Sequence, residues 1–275
     1  MRKGLLVVAT ALVAGSVVGT SALADQVDMR FIGAGPSRVV NTEIWAGSAR
    51  VYNGALRIGA LQHQFSDRGT SSMTQLNNAT ASTLDGMVLG TFCTDVLESV
   101  DSRWRRYEMI DAKNAPATNG PIVSPMGLAR SERLAQLYNF AQSGPNPLLN
   151  TFGGWNNMNT STASAADAAN SDMAAAFQML VWEIVFDNPD AANFASNGMM
   201  RFSNMSTSVM NYFLNFRDAA LSYSTALPGF SAVSRGGSQD QLIIIPLPPA
   251  ALAGVGMLVG LAGVRYARRR KLARA

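Results

Sequence analysis

The sequence predicts an α+β fold, with a β-rich first part, helices in the middle and one strand near the end. Short β-prone runs separated by Gly, Asn and Ser clusters occupy the region up to Phe92. Later segments place apolar residues at helical spacing. An apolar run within residues 230–245 then indicates a last strand. Strands and helices that are segregated along the chain are typical of the α+β class.

Four segments of the first part favour strands. Residues 38–45, 49–56 and 86–92 are short β-prone runs, whereas the Ser, Thr and Asn content of residues 70–82 favours a loop. Residues 103–110 alternate, with Trp104 and Ile110 on one face and Tyr107 and Met109 on the other. This period of two suits a strand.

Three segments favour helices. Residues 127–142 carry apolar residues at near-helical spacing and end before Gly144-Pro145. Residues 171–187 form the strongest pattern, with Asn170 or Ser171 as the expected cap, and 206–223 form another. The apolar stripe of 171–187 consists of Met173, Phe177, Leu180, Val181 and Ile184.

The N-terminus has the features of a secretory signal peptide. Basic Arg2 and Lys3 precede an apolar run over 5–18, and Ala22 and Ala24 provide a small-x-small cleavage site. The short apolar run favours cleavage after Ala24 over a retained anchor. We expect residues 1–24 to be removed and the chain to be exported.

The C-terminus predicts a short membrane-seeking segment with a proline-rich start. Three prolines within 246–249 exclude a regular helix there. The fifteen residues 250–264 would span about 22 Å as a helix, less than the roughly 30 Å of a bilayer core. A basic cluster follows and should stay in the cytoplasm; it includes Arg265, Arg268, Arg269, Arg270 and Lys271.

This tail resembles the PEP-CTERM sorting signals, most closely the VPLPA-CTERM variant. The resemblance implies recognition by an exosortase-type enzyme of a Gram-negative inner membrane, then release to the cell surface or extracellular matrix. The alternative is an ordinary C-terminal anchor. The expected division is 1–24 as signal peptide, 25–241 as extracytoplasmic domain and 242–275 as sorting tail. The motif residues are Ile245, Pro246, Leu247, Pro248, Pro249 and Ala250.

The net charge of the body argues against a nucleic-acid partner. All 18 acidic residues lie between Asp25 and Asp240, whereas only 14 of the 22 basic residues do. The body therefore carries a net charge of −4, although the whole chain is at +4. The excess of basic residues belongs to the two ends, where it suits targeting.

The only cysteine of the chain, Cys93, poses a chemical question in an exported protein, because it cannot form an internal disulfide. It follows the apolar run 87–92. Gln178 lies one position off the apolar stripe of the strongest helix, with Trp182 one turn later. The pair Phe92-Cys93 and the segment 177–182 are the two motifs that stand out.

These two motifs resemble those of thioester domains in bacterial surface adhesins. The resemblance implies an internal thioester, in which the Cys93 sulfur replaces the Gln178 side-chain nitrogen and ammonia is released. Phe92 and Trp182 would shield it from water. Thr94 departs from the pattern, since many adhesins have an aromatic residue there. The alternative is that Cys93 is a buried small side chain and Gln178 only spans a helix face.

The expected role is therefore non-enzymatic: adhesion or matrix formation through extracellular polysaccharide or a surface nucleophile. No cofactor, metal site or catalytic residue is expected, since no hydrolase motif is present and a lone histidine, His63, is more often incidental. A polysaccharide hydrolase would draw on acidic residues from Asp95, Glu98, Asp101, Glu108 and Asp111. A calcium-dependent sugar-binding module would use Asn156, Asn157, Asn159 and Asp167.

Overall fold

The computed structural model describes residues 25–76, 78–116, 125–143, 165–187, 198–222 and 230–244. The described part is a sheet-rich α+β fold, as predicted. The expected signal peptide, the sorting tail from residue 245 onward, and Asn156, Asn157 and Asn159 lie outside these ranges. The strands are β1 (Gln26–Ala46), β2 (Ala49–Ser66), β3 (Val88–Cys93), β4 (Arg105–Asp111), β5 (Met200–Ser203), β6 (Phe230–Arg235) and β7 (Ser238–Ile244). The helices are α1 (Ala79–Leu84), α2 (Leu128–Ser143), α3 (Ala165–Phe186) and α4 (Thr207–Ser222), with a 3-10 turn at Ala112–Asn114.

The strands form one antiparallel sheet in the order β2-β3-β7-β6-β4-β1-β5. Because β2 also pairs with β1, six of the strands close into a ring, and β5 adds to β1 outside it. Apolar side chains from the ring strands and from α1 form a separate buried cluster, which we call the ring core. It consists of Val27, Met29, Phe65, Leu84, Leu89, Tyr107, Met109, Val233 and Ile243.

The first two strands form one long hairpin, which corrects the expectation of several short strands. The pairing runs from Asp28↔Ser66 to Ala46↔Ala49, and Gly47 turns the chain at φ 63°. Gly54 lies within β2 opposite Thr42. Continuous pairing with β1 outweighs the low intrinsic strand preference of such residues.

The hairpin contains one irregularity that matters for the site. The register shifts between Ala34 and Ser37, opposite Gly59. Gly59 has φ +151°, and a Cβ there would lie 2.3 Å from the carbonyl oxygen of Pro36. Only glycine fits this close approach of the two backbones.

The predicted helices lie at the expected positions except for the start of α3, and one further helix, α1, was not predicted. α2 and α4 lie within one residue of the predicted ranges at each end, whereas α3 begins at Ala165, six residues before the predicted start. The expected cap at Asn170 or Ser171 is therefore wrong, because the alanine-rich residues before it extend the helix. Residues 79–82, the end of the expected loop, belong to α1, whose first turn is capped by Asn78 Oδ1 accepting from Ala81 N at 2.6 Å.

The last two strands form the hairpin β6–β7, and β7 continues to Ile244. Leu242 and Ile243 are buried in the sheet. The folded domain therefore extends past residue 241, where the sequence placed the start of the tail. None of the helices in the described ranges is long and apolar enough to cross a bilayer.

The larger core lies between the outer face of the sheet and the helices. α3 packs against β1 and β2 on one side and against α4 and α2 on the other. The Phe177 ring lies 4.6 Å from Phe92, 5.0 Å from Tyr138 and 5.4 Å from Phe216, measured between centroids. This buried aromatic contact fixes the rotation of α3, and thereby the position of Gln178, the next residue on the helix.

Candidate functional site

The end of strand β3 leaves backbone groups that no neighbouring strand pairs. β3 pairs with β2 only as far as Thr91↔Leu61, and with β7 at Phe92 and Cys93. Thr94 N donates to Asp240 O on β7 at 3.1 Å. Since alternate residues of an antiparallel strand direct their backbone groups to opposite sides, the N–H and C=O of Cys93 face the side that β2 has left. We call this place the strand gap.

The side-chain amide of Gln178 fills the strand gap. Cys93 N donates to Gln178 Oε1 at 2.9 Å, and Gln178 Nε2 donates to Cys93 O at 2.9 Å. The Cys93 sulfur lies 3.6 Å from the same Oε1. The cysteine is 5% exposed and the glutamine 1%. The structure thus brings together the two residues that the sequence singled out, although 85 positions separate them.

The environment of Cys93 keeps its thiol uncharged. Burial raises the pKa of the thiol strongly, and the negative charge of Asp95 raises it further. The indole of Trp182 acts in the opposite direction. Its Nε1–H is buried and makes no hydrogen bond of normal geometry within the described part of the chain. A free thiol here would be protonated at neutral pH, and is therefore not a ready nucleophile.

A partly open cavity of about 100 Å³ reaches both residues of the pair. Strand β2 contributes Leu56, Arg57, Gly59 and Leu61 to its lining, and the rest of the chain contributes Val96, Trp182 and Gln239 beside the pair itself. Arg57 is exposed and is the only charged residue among those that line it.

The two aromatic residues expected to shield the pair lie in different places. Trp182 lines the cavity and stacks on Phe202, with 6.4 Å between ring centroids. Phe92 does not line the cavity; it packs against Phe177 and Tyr138 in the larger core. Thr94 is fully buried, and its hydroxyl has no hydrogen-bond partner in the described part.

A second set of buried polar residues escaped the sequence reasoning. His63 Nδ1 lies 2.8 Å from Thr91 Oγ1, and the Thr91 hydroxyl donates to Gln241 Oε1 at 2.8 Å. Gln241 Nε2 donates to Gln239 Oε1 at 3.2 Å, and Gln239 Nε2 donates to Asp95 O. We call His63, Thr91, Gln241 and Gln239 the polar row. The signal available in the sequence was the polar stretch 238–241 within the last predicted strand.

His63 belongs to this row and does not line the cavity. Burial lowers its pKa to about 3, so the imidazole is neutral at physiological pH. Because the Thr91 hydroxyl proton is used on Gln241, the Nδ1–H of His63 is the donor to Thr91. These contacts are typical of a buried, neutral histidine whose hydrogen bond is made within the core.

Two of the five carboxylates that a hydrolase would draw on, Asp101 and Asp111, are engaged by neighbouring basic groups. Asp101 pairs with Arg103 and Arg105, which hold its pKa well below the usual range. Asp111 pairs with Lys113, its pKa also being lowered.

The remaining acidic groups differ in exposure. Glu108 is exposed on β4, whereas Asp95 is buried and accepts from the backbone N–H groups of Leu97 and Glu98. Asp240, which the sequence reasoning missed, has its pKa raised to about 7, chiefly by burial. Within the described residues no three His, Cys, Asp or Glu side chains are arranged to hold a metal ion. Asp167 lies in the first turn of α3.

The strand gap brings together several groups that acyl transfer between an amide and a thiol uses, although the thiol itself is held in its protonated form. The thiol lies beside the amide carbonyl, and the Cys93 N–H binds the oxygen that would carry negative charge in a tetrahedral intermediate. Apolar walls restrict water, and the cavity gives a path to solvent. No protein-family model, curated protein sequence or solved structure matches this chain.

Proposed function

We propose that the domain is the working part of an exported surface or matrix protein, and that Cys93 and Gln178 form an internal thioester. Through this bond the protein attaches covalently to extracellular polysaccharide or to a nucleophile on a neighbouring surface. The observation that carries the proposal is the contact of the Gln178 amide with both the backbone and the sulfur of Cys93. The reaction occurs once per molecule, without turnover.

The bond forms by loss of ammonia. The Cys93 sulfur attacks the Gln178 side-chain carbonyl carbon, the C–N bond breaks, and the thiol proton leaves with Nε2 as NH₃. The hydrogen bond from Nε2 to Cys93 O is lost, while the one from Cys93 N to the acyl oxygen can persist. In the second step a partner amine or hydroxyl attacks the same carbon, and its proton passes to the departing sulfur. The indole of Trp182, which favours the charged form of the Cys93 sulfur, is available to stabilise the thiolate as it leaves.

Delivery to the outside rests on the two ends of the chain. The expected signal peptide at 1–24 and the tail at 245–275 fit passage through the inner membrane and processing by an exosortase-type enzyme. An exported protein with one cysteine in an oxidising compartment also gains from having that sulfur acylated, since an acylated sulfur cannot cross-link.

Intact-mass measurement of the purified domain tests the thioester directly. A formed bond lowers the mass by one ammonia, about 17 Da, and blocks alkylation of the sulfur in the folded and the unfolded protein. Methylamine should then add about 31 Da and release one thiol for labelling. Full mass together with a thiol that labels after unfolding would show that the contact is only a structural clamp.

Two substitutions and a matched control locate the bond. Gln178→Asn keeps the amide but shortens the side chain, and Cys93→Ser replaces the sulfur; both should restore the full mass. Gln64→Asn makes the same shortening on β2, where the amide only accepts from Arg30, and should keep the mass deficit. Loss of the deficit in the Gln64 variant as well would contradict the assignment.

A separate experiment tests delivery. The full chain and a version ending at Ile244 are expressed in a bacterium with an exosortase, and the cell fractions are analysed by mass. We expect the full chain to reach the surface without residues 1–24. The shortened chain should also be exported, but it should be found in the soluble fraction and not in the membrane. Unprocessed full-length protein in the cytoplasm would contradict export.

A further inference from the structure

The cavity beside the strand gap constrains which nucleophile can reach the acyl carbon. Its volume of about 100 Å³ is smaller than the roughly 150 Å³ of a cavity that holds benzene. A sugar ring or a branched amine is therefore too large to enter, so a polysaccharide could react only through a slender group attached to its rings. A slender, unbranched chain ending in a primary amine can enter, and such an amine is a good nucleophile toward a thioester.

The charge at the cavity is set by Arg57. Its side chain is exposed, donates to Ser37 Oγ at 3.3 Å, and has no carboxylate within ion-pair distance in the described part of the chain. The other lining residues are uncharged or apolar. Asp95 lies nearby, but its carboxylate is buried and accepts from two backbone N–H groups. An incoming group therefore meets a positive charge first.

This arrangement has two consequences for an amine. A fixed positive charge lowers the pKa of an approaching ammonium, which increases the fraction of reactive free base. It also repels a cationic partner, unless that partner carries an anionic group to offset the repulsion. An anionic group close to the amine gains attraction from Arg57, while the amine itself reaches the acyl carbon.

Resting on the proposed thioester, we propose that its natural acceptor is a slender primary amine that carries an anionic group within a few bonds. Arg57 selects the acceptor by contact with the anionic group. The amine nitrogen forms an amide with the Gln178 acyl carbon, the bond from that carbon to sulfur breaks, and the amine proton passes to the Cys93 thiolate. A lysine-rich, cationic surface is disfavoured.

The test compares three probes of matched length on the purified domain: β-alanine, propylamine and 1,3-diaminopropane. The rate of mass gain is measured for each and corrected to the free-base concentration. Wild type should react with β-alanine about fivefold faster than with propylamine, and more slowly still with the diamine. The preference should shrink as salt is added, because Arg57 is exposed.

Substitutions of two arginines on β2 test whether Arg57 causes the preference for β-alanine. Arg57→Gln should remove the preference for β-alanine over propylamine, and Arg57→Glu should reverse it. Arg50→Gln is the control, since Arg50 pairs with Glu43 and does not line the cavity; it should keep the preference. Equal rates for all three probes, or an equal loss of preference in the Arg50 variant, would overturn the inference while the thioester stands. A wild-type protein with full mass and a free thiol would instead remove the thioester, and the inference with it.

Discussion

Cys93 in the strand gap and His63 in the polar row are both side chains of a reactive type, but their surroundings differ. Cys93 and His63 are both buried, 5% and 2% exposed, on the paired strands β3 and β2. His63 is satisfied by Thr91, a side chain of the same sheet, and has no access to the cavity. Cys93 instead meets a side chain from α3 at a place where the sheet leaves backbone groups open.

The difference shows that burial alone does not define a reactive site. Burial shifts the pKa of both groups away from their charged forms, lowering that of His63 and raising that of Cys93. Only Cys93 has an acyl group beside it and a path to solvent. The position of Gln178 depends on the packing of a helix, whereas the polar row depends on the sheet. Substitutions in the helix packing should therefore affect the thioester, and substitutions in the polar row should not.

The largest expected effect comes from Phe177→Ala, which removes the ring that anchors α3. The ring is fully buried among aromatic neighbours, so its loss should cost about 3–5 kcal/mol in the free energy of unfolding. Gln178 should lose its fixed position, and the mass deficit of the domain should become incomplete. Urea unfolding and intact mass measure the two effects. A destabilised variant that keeps the full deficit would show that the pair does not depend on the helix anchor.

A smaller effect, on pH dependence, belongs to the polar row. The pKa of His63 is lowered to about 3 in the folded protein, so between about pH 3 and its unfolded value of about 6.5 the unfolded chain binds more protons. Stability should therefore fall as pH falls through this window. His63→Gln should flatten this part of the curve in urea unfolding between pH 7 and 4, with the mass deficit unchanged.

Asp240 provides the control of opposite sign. Its pKa is raised to about 7, so the folded protein binds more protons than the unfolded chain as pH rises from the usual carboxyl range to 7. The contribution of Asp240 to stability should fall over that range, and Asp240→Asn should remove this loss. Variants of His63 and Asp240 that change the pH profile in the same direction would contradict the assignment of both groups.

A further substitution removes the hydrogen bonds at the centre of the polar row and keeps the shape of the side chain nearly unchanged. Thr91→Val removes the hydroxyl that joins His63 to Gln241, and leaves buried polar atoms of both unpaired. Such a loss should cost about 1–3 kcal/mol. The thermal midpoint should fall while the mass deficit and methylamine reactivity stay as in wild type. A change in methylamine reactivity would show that the row acts on the strand gap.

The sequence predicted the parts that depend on local pattern. Helical spacing of apolar residues located α2 and α4, and alternation placed Tyr107 and Met109 on one face of β4, which the structure buries. The motifs around Cys93 and Gln178 singled out a pair that the fold brings into contact. Periodicity and short motifs suffice where the determining interactions lie within one helix or one strand.

The remaining features depend on pairing between distant segments. The sequence favoured separate short runs at 38–45 and 49–56, yet pairing from Asp28↔Ser66 to Ala46↔Ala49 makes one long hairpin. The closure of the ring by β1 and β2, and the point where β2 leaves β3, follow from register that no local pattern encodes. The cavity and the exposed position of Arg57 result from that departure, so neither could be read from the sequence.

The smallest expected effect sharpens the comparison between two arginines of the same strand. Arg50 pairs with Glu43 at 2.9 Å near the hairpin turn, with its side chain 45% exposed. An exposed ion pair of this kind contributes less than about 1 kcal/mol, so Arg50→Ala should shift the thermal midpoint only slightly and leave the mass deficit and amine reactivity unchanged. Arg57→Ala should be equally mild in stability but should alter the choice of amine. If both substitutions altered that choice alike, the overall positive charge of the strand, rather than its placement at the cavity, would govern access to Cys93 and Gln178.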